Sequence, residues 1–205
     1  MQNTELKSPV SQSTSVATII LVPLLFISIF ITALNTHANE SSSEKRALLE
    51  QLRQAQSESE GRKIEGEIWE LWFSQAPTAE IRESLDAGMS RRDSYDYEAA
   101  ENYFDDVVAA APNYAEGYNQ RAFARFLRED FEGSKKDLEK TLELEPDHFG
   151  ALSGMYHILR IENRHKAALG FLQKAVSLHP WIQERFGLPE EMWPEHYRQL
   201  QEESI

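Results

Sequence analysis

Three stretches of the sequence share one pattern and end in a proline: YEAAENYFDDVVAAAP at residues 97–112, FEGSKKDLEKTLELEP at 131–146 and HKAALGFLQKAVSLHP at 165–180. The three prolines lie 34 residues apart. A fixed period of this length is typical of repeat proteins, in which one small structural unit is stacked along the chain. The period predicts three such units, at residues 79–112, 113–146 and 147–180.

Equivalent positions of the three stretches carry the same kind of side chain. Twelve residues before each proline the residue is small, and eight and four residues before it the residue is apolar. These positions hold Ala100, Ser134 and Ala168, then Phe104, Leu138 and Leu172, then Val108, Leu142 and Val176. Offsets of four residues place the apolar positions on one face of an α-helix. The proline then ends the helix, because it has no N–H and disfavours helical geometry in the residue before it.

Each unit is therefore predicted to contain a first helix, a tight turn and a second helix. The first helices are expected at residues 79–92, 115–128 and 149–161, and the second helices at 97–110, 131–144 and 165–178. Asp96, Asp130 and Asn163 mark the turns inside the units. Asn113 and Asp147 follow two of the prolines and are expected to cap the next helix, since their side chains can accept hydrogen bonds from its free N–H groups.

This pattern resembles the tetratricopeptide repeat (TPR) family over the three units. The resemblance includes the period, the terminating proline and the small residue of the second helix, together with Gly88 and Ala122 in the first helices. Ser84 and Tyr156 depart from the family's pattern. The resemblance implies an all-α, TPR-type helical-repeat solenoid with three clear 34-residue repeats.

A further unit is expected before these repeats. Pro77 lies 35 residues before Pro112, and Trp69 and Phe73 keep the apolar positions eight and four residues before it. Residues 39–78 are therefore predicted to form a degenerate N-terminal repeat. The alternative is a plain helical hairpin that caps the stack.

The chain after the repeats is expected to cover their open end. Residues 181–205 are predicted to be a C-terminal capping segment, in which Trp193, Tyr197 and Leu200 share one face of a last helix. Repeat proteins need such a segment, because the last repeat would otherwise leave an apolar face in water.

The N-terminal residues 1–38 are predicted to be a signal peptide or membrane anchor. Residues 16–34 form an uncharged run of 19 residues, and Thr36 and Ala38 are the small residues that a signal peptidase requires. Cleavage after Ala38 is expected, and a retained anchor is the alternative, since about 20 apolar residues span a bilayer. Both interpretations place residues 39–205 in the periplasm, either free or anchored to the inner membrane and facing the periplasm.

Composition and motifs argue against several functions. The net charge of −13 disfavours nucleic acid as a partner, because phosphate binding needs clustered Lys and Arg. The chain has no cysteine, and its six histidines form no HxH or HExxH pattern, so no metal site is expected. No Gly-rich phosphate loop or nucleophile motif is present either. The chain is therefore predicted to be non-catalytic and to need no cofactor.

The resemblance implies where a partner would bind. In TPR proteins the first helix of each repeat lines the concave surface, and the matching positions here predict ligand-binding residues Arg92, Asn119, Phe123, Phe126, His157 and Arg160. The expected ligand is a peptide or protein anchored by aromatic contacts, with the arginines meeting its carboxylates. The alternative is that Phe123 and Phe126 pack against the neighbouring helix.

Arg121 and Arg125 are unusual, because they occupy positions that are apolar in most TPR repeats. A buried cation needs an ionic or hydrogen-bonded partner. The two arginines are therefore predicted to pair with acids of the preceding helix, such as Glu101 or Asp105. The alternative is a basic contact with a ligand.

The function that the resemblance implies is a protein–protein interaction module, an adaptor of the bacterial envelope. The second interpretation is a membrane-anchored assembly or regulatory subunit of an envelope complex, with residues 16–34 retained as the anchor.

Overall fold

The computed structural model describes residues 42–202, and this part of the chain is built from nine α-helices and two short 3₁₀ helices. In chain order they are α1 (residues 42–54), α2 (Glu58–Ser74), α3 (Ala79–Asp93), α4 (Tyr97–Ala110), α5 (Ala115–Leu127), α6 (Phe131–Leu144), α7 (Phe149–Ile161), α8 (His165–Leu178), the 3₁₀ helices Gln183–Gly187 and Glu190–Met192, and α9 (Glu195–Glu202). No strand occurs within these residues. The predicted all-α fold is confirmed.

Three helix pairs occupy the predicted repeats: α3 with α4, α5 with α6, and α7 with α8. Their six helices agree with the predicted bounds to within one residue at each end. The second helix of one pair packs on the first helix of the next, α4 on α5 and α6 on α7, so that the pairs stack in a row. This is the predicted helical-repeat solenoid.

The turns inside the repeats have one geometry. Tyr95, Glu129 and Asn163 occupy equivalent positions and adopt left-handed φ values of 63°, 64° and 59°. The residue that follows each of them is the N-cap of the second helix. In two repeats this residue is an aspartate. Asp96 accepts a hydrogen bond from the Ala99 N–H at 3.3 Å, and Asp130 accepts one from the Gly133 N–H at 3.0 Å. The acidic residues that mark the turns in the sequence therefore act as N-caps.

The caps of α5 and α7 differ from the prediction. The N-cap residues are Tyr114 and His148, one position after the expected Asn113 and Asp147. His148 accepts a hydrogen bond from the Ala151 N–H through Nδ1 at 3.1 Å, whereas Tyr114 makes no side-chain cap. An imidazole nitrogen replaces the expected carboxylate in α7 because His148 is buried against other helices and is therefore held in place by packing.

Small residues allow the two helices of a pair to approach closely. A Cβ atom on Gly88 would lie 2.5 Å from Cε1 of Phe104, closer than any real contact. In the next pair, the Ser134 hydroxyl donates to the carbonyl of Ala122 at 2.8 Å. The small positions that the period identified are therefore the points where the paired helices touch.

The helical pair predicted before the repeats forms α1 and α2, and its contacts reach beyond the first repeat. A repeat stacked in front would contact only the first pair. Instead, α2 lies across the surface formed by the first helices α3, α5 and α7, which is called the A-helix face below. Its Trp72 ring stacks on His148 at 4.0 Å between centroids, and its Glu65 meets His179 at 3.3 Å. At the other end of α2, the guanidinium of Arg82 on α3 lies 5.4 Å from the Phe73 ring.

Burial fixes α2 in this position. Ile64, Ile68 and Trp72 are at most 6% exposed and belong to the same apolar core as α7 and α8. Each buried side chain of this size contributes about 1.5–3 kcal/mol, so the three together contribute about 5–9 kcal/mol. Since a whole domain is stable by only about 5–15 kcal/mol, α2 belongs to the folded core.

The C-terminal segment packs on the last pair, where a Cβ atom on Gly187 would lie 3.3 Å from Cδ2 of Leu172. Arg185 is 6% exposed and donates to Tyr197 Oη at 2.9 Å and to the Trp181 carbonyl at 2.9 Å. The Tyr197 ring lies 5.0 Å from the ring of Trp181 and 5.2 Å from that of Trp193. The Leu200 side chain, expected on the same face, lies outside the described part.

The predicted signal or anchor segment, residues 1–38, also lies outside the described residues. Within residues 42–202, each helix is too short or too polar to cross a bilayer.

Candidate ligand-binding groove

A cavity of about 510 Å³ lies between α2 and the A-helix face and is called the aromatic cavity below. It is lined mainly by apolar side chains, with a few polar groups at its edges. Its lining residues include Trp69, Phe73, Met89, Arg92, Asn119, Phe123, Phe126, Leu138, Ser153, His157 and Glu184. Cavities of this size and character are typical of ligand sites in proteins.

The floor of the aromatic cavity comes from α5 and α7. Asn119, Phe123 and Phe126 project from one side of α5, because offsets of three and four residues bring side chains to one helix face. The Phe123 side chain is 47% exposed, whereas the Phe126 ring packs against Phe131 at 5.5 Å. Phe126 therefore packs against a neighbouring helix, as the alternative prediction states, and also lines the cavity. Phe123 is exposed in the cavity and does not fit that alternative.

The wall of the aromatic cavity is α2, which the sequence did not suggest. Trp69 and Phe73 are one helical turn apart and stack with their ring centroids 6.0 Å from each other. Trp69 can lie this close to α7 only because residue 150 is glycine, since a Cβ there would be 2.7 Å from the Trp69 ring. In the sequence, Gly150 is the one sign of this contact, because a glycine inside a helix indicates that another side chain or backbone segment packs closely against it.

Of the two arginines predicted to line the groove, Arg92 and Arg160, only Arg92 does so. Arg92 lines the aromatic cavity, where its guanidinium lies 5.0 Å from the Phe123 ring, and it donates to Gln120 and to Asp93. Arg160 does not line the cavity. It is exposed and donates to the Tyr156 hydroxyl at 3.1 Å, whereas Arg92 and Phe126, at the equivalent position of α3 and α5, line the cavity. Five of the six predicted residues therefore line one cavity and Arg160 does not.

A carboxylate that was not predicted lies at the edge of the aromatic cavity. Glu184, from the segment after α8, meets His157 Nε2 at 3.2 Å. The hydrogen bond from His157 lowers the pKa of Glu184 to about 2, assisted by Ser153 and opposed by burial. Glu184 is therefore ionised at neutral pH. The sequence could not place it, because the segment after α8 has no repeat pattern.

A buried polar network supports the cavity floor. The carboxylate of Glu116, which is 1% exposed, accepts hydrogen bonds from Asn119 at 3.2 Å and from Gln120 at 2.5 Å. Its other oxygen lies 2.9 Å from His148 Nε2. A buried carboxylate is costly unless several hydrogen bonds satisfy it. Asn119 thus uses one amide donor to hold this network together.

A second cavity, of about 240 Å³, adjoins the first and shares Trp69, Gly150, Ser153 and Glu184 with it. It is called the acidic cavity below. Its lining includes the carboxylates of Glu58, Glu65 and Glu184 and a single basic residue, Arg62. A hydrogen bond from His179 lowers the pKa of Glu65 despite the opposing effect of burial. The groove therefore has an aromatic part and an acidic part, side by side.

Arg121 and Arg125 take part in ion pairs, as predicted. Arg121 donates to Asp105 at 2.8 Å, and Arg125 donates to Glu101 at 2.8 Å. Both also bind Asp137, whose side chain is 4% exposed, at 2.6 Å from Arg121 Nη2 and 2.8 Å from Arg125 Nη1. Asp137 was not predicted. It follows from the same rule, because a guanidinium has five donors and one carboxylate does not satisfy them.

No group of three histidine, aspartate or glutamate side chains between residues 42 and 202 is arranged to hold a metal ion.

Comparisons with known proteins agree with this architecture. A TPR repeat-containing protein of Rhizobium etli is 30% identical over 145 residues, which are 69% of this chain and 71% of that protein. Mouse RNA polymerase II-associated protein 3 is 40% identical over 52 residues, only 8% of its length. Among solved structures, the TPR2B domain of yeast Sti1, in its complex with pHsp70, has a TM-score of 0.50 and 19% identity. That match covers 62% of this chain and 99% of the domain, and it shows the shared fold.

No family model matches the chain. The identity to the Rhizobium protein over most of both chains, together with the three stacked helix pairs and their 34-residue period, shows that this chain belongs to the TPR repeat-containing proteins.

Proposed function

We propose that this protein is a non-catalytic interaction module, an adaptor of the bacterial envelope, which binds a peptide or protein segment in the groove between α2 and the A-helix face. The observation that supports this most directly is the aromatic cavity. It has the volume of a ligand site, and its lining includes the exposed ring of Phe123. The TPR domain of Sti1, in its complex with pHsp70, provides an example of a related fold with a protein ligand.

Rigidity is the mechanism that the fold supports. The floor is held by the buried Glu116 network and the wall by the buried face of α2, so the groove exists before a ligand arrives. A preformed site loses little conformational entropy on binding, and more of the contact energy is therefore available as affinity.

The envelope setting rests on residues 1–38. The uncharged run and the small residues before Asn39 support export, and the second candidate, a membrane-anchored subunit of an envelope complex, rests on the same run being retained. Mass spectrometry of the mature protein separates the two. A start at Asn39 supports the free module, an intact N-terminus in the membrane fraction supports the anchored subunit, and a cytosolic protein contradicts both.

Binding is tested by comparing captured proteins between variants. The full chain, a Phe123→Ala variant and a Phe186→Ala variant are used as baits in the same envelope extract. Phe186 is a suitable control, because it is 73% exposed and does not line either cavity. The expected result is that Phe123→Ala loses a partner that Phe186→Ala retains. Identical sets of captured proteins for all three baits would contradict binding in the groove.

A further inference from the structure

The groove of this chain is narrower than the A-helix face, because α2 covers part of that face. A ligand has two ways to reach it. It could displace α2, or it could bind beside α2 and use it as a wall. The burial of Ile64, Ile68 and Trp72 in the common core makes displacement costly. The wall side chains Trp69 and Phe73, by contrast, are only partly buried and already face the aromatic cavity.

The chemistry of the two cavities identifies the kind of ligand. The aromatic cavity offers the rings of Trp69, Phe73, Phe123 and Phe126 to a bulky apolar group. Aromatic rings prefer such partners, in stacked or edge-to-face contacts. The acidic cavity adjoins it and is lined by three carboxylates, which already have partners in the protein: Glu58 pairs with Arg62 and Arg185, Glu65 with His179, and Glu184 with His157. Carboxylates nevertheless outnumber guanidinium groups there by three to two. A cation is therefore the complementary group for that part, and the net charge of −13 draws a basic segment towards the protein.

We propose that the groove binds a peptide segment in which an aromatic residue stands next to a lysine or arginine, and that α2 remains docked and forms one wall of the site. The aromatic side chain enters the aromatic cavity between Trp69 and Phe123, and the basic side chain reaches Glu184 in the acidic cavity. This inference rests on the proposed function and adds to it the class of partner and the role of α2.

Selection of ligands tests the class of partner. A library of random dodecapeptides displayed on phage is selected against the full-chain protein, and the enriched peptides are synthesised and titrated by fluorescence anisotropy. Enriched peptides are expected to share an aromatic residue beside Lys or Arg. Replacing the aromatic residue by Ala or the basic residue by Glu should weaken binding at least tenfold. Enrichment of peptides without this pair overturns the inference but leaves the proposed function intact, and no enrichment contradicts both.

Variants of the protein connect the peptide to the two cavities. Phe123→Ala and Trp69→Ala are expected to weaken binding at least tenfold, since buried aromatic contacts dominate such interfaces. Glu184→Gln should weaken the Lys-containing peptide severalfold and leave a peptide with Met in place of Lys unaffected. Phe186→Ala is the control and should bind as the unchanged protein does. Phe123 is half-exposed, so its variant keeps the test valid if Trp69→Ala does not fold. Equal binding by all variants overturns the inference.

A reversible lock tests whether α2 stays in place. A Cβ atom on Gly61 of α2 would lie 3.1 Å from the Cβ of Trp181, close to the separation of about 3.8 Å in a disulfide. The chain has no cysteine of its own, so the double variant Gly61→Cys, Trp181→Cys forms a single defined bridge between α2 and the segment after α8. Oxidised and reduced protein are expected to bind the selected peptide within twofold of each other. If oxidation weakens binding tenfold and reduction restores it, then α2 must move and the composite site is refuted.

Discussion

Asp137→Ala is expected to destabilise the protein, because Asp137 is the buried carboxylate that Arg121 and Arg125 share. The Asp137 carboxylate is 4% exposed and accepts hydrogen bonds from Arg121 at 2.9 and 2.6 Å and from Arg125 at 2.8 Å. Removing one member of a buried ion pair costs about 3–5 kcal/mol, because the remaining charge stays desolvated. Here Arg121 and Arg125 keep Asp105 and Glu101 as partners and are 15% and 19% exposed. We therefore expect a smaller loss, of about 2–3 kcal/mol.

Urea denaturation followed by circular dichroism measures this loss, and urea is chosen because guanidinium chloride would screen the ion pairs. The matched control is Glu139→Ala, two residues further along α6 and exposed, which should change the free energy of unfolding by less than about 0.5 kcal/mol. The unfolding temperature of Asp137→Ala should fall by about 4–12 °C for a domain of this size.

The reasoning is refuted if Asp137→Ala loses less than about 1 kcal/mol or behaves like its control. Arg125→Leu adds a second check, because the two changes share one network and their effects should not be additive. If Arg125→Leu folds with unchanged stability but no longer binds the partner, then Arg125 contacts the ligand and its ion pairs are incidental.

Four further changes test other parts of the structure. Trp72→Ala should lower the free energy of unfolding by about 3–5 kcal/mol in thermal denaturation, since Trp72 is 2% exposed; a negligible loss would mean that α2 is not docked. Gly88→Ala should destabilise by about 1–3 kcal/mol, because its Cβ meets the Phe104 ring at 2.5 Å. A Cβ atom on Gly66 would have no neighbour within 4 Å, so Gly66→Ala should stabilise α2 by up to about 1 kcal/mol. If Gly66→Ala and Gly88→Ala changed the free energy of unfolding equally, the packing argument would be wrong. The pKa of Glu184 is about 2 in the folded protein and 4.5 in the unfolded chain. The ionised carboxylate therefore stabilises the fold fully above pH 4.5, and this stabilisation is lost as the pH falls towards 2. The difference in unfolding free energy between the unchanged protein and Glu184→Gln should therefore shrink from pH 5 to pH 2, and a difference that grows would contradict the pair with His157.

The repeats could be predicted because their information is local and occurs three times. A proline that ends a helix, a small residue and two apolar residues at fixed offsets define each second helix, and the period then supplies the first helices. The pairing of Arg121 and Arg125 with Asp105 and Glu101 also followed from the sequence. It required only that a cation facing the preceding helix must find an acid there.

The position of α2 could not be predicted in the same way. Its apolar stripe shows that one face is buried, but helical periodicity does not show which surface covers that face. The contacts that decide this join residues far apart in the sequence, such as Trp69 with Gly150 and Gly61 with Trp181. The repeat period suggested stacking in front of α3. The two tryptophans of α2 instead pack on the A-helix face, where Trp72 stacks on His148 and Trp69 meets Phe149 edge-on.

The site combines features that were predicted with features that were not, and the reason is physical. The side chains of the A-helix face could be assigned by their equivalent positions in the three repeats, because every repeat presents the same face of its first helix. Arg160 deviates from Arg92 and Phe126, which occupy the equivalent position, because its guanidinium bonds to the Tyr156 hydroxyl of its own helix. Trp69 and Glu184 come from outside the repeats and give the groove its wall and its acidic end. A solenoid of identical repeats offers a uniform surface, and the segments that interrupt that uniformity here are α2 and the chain after α8.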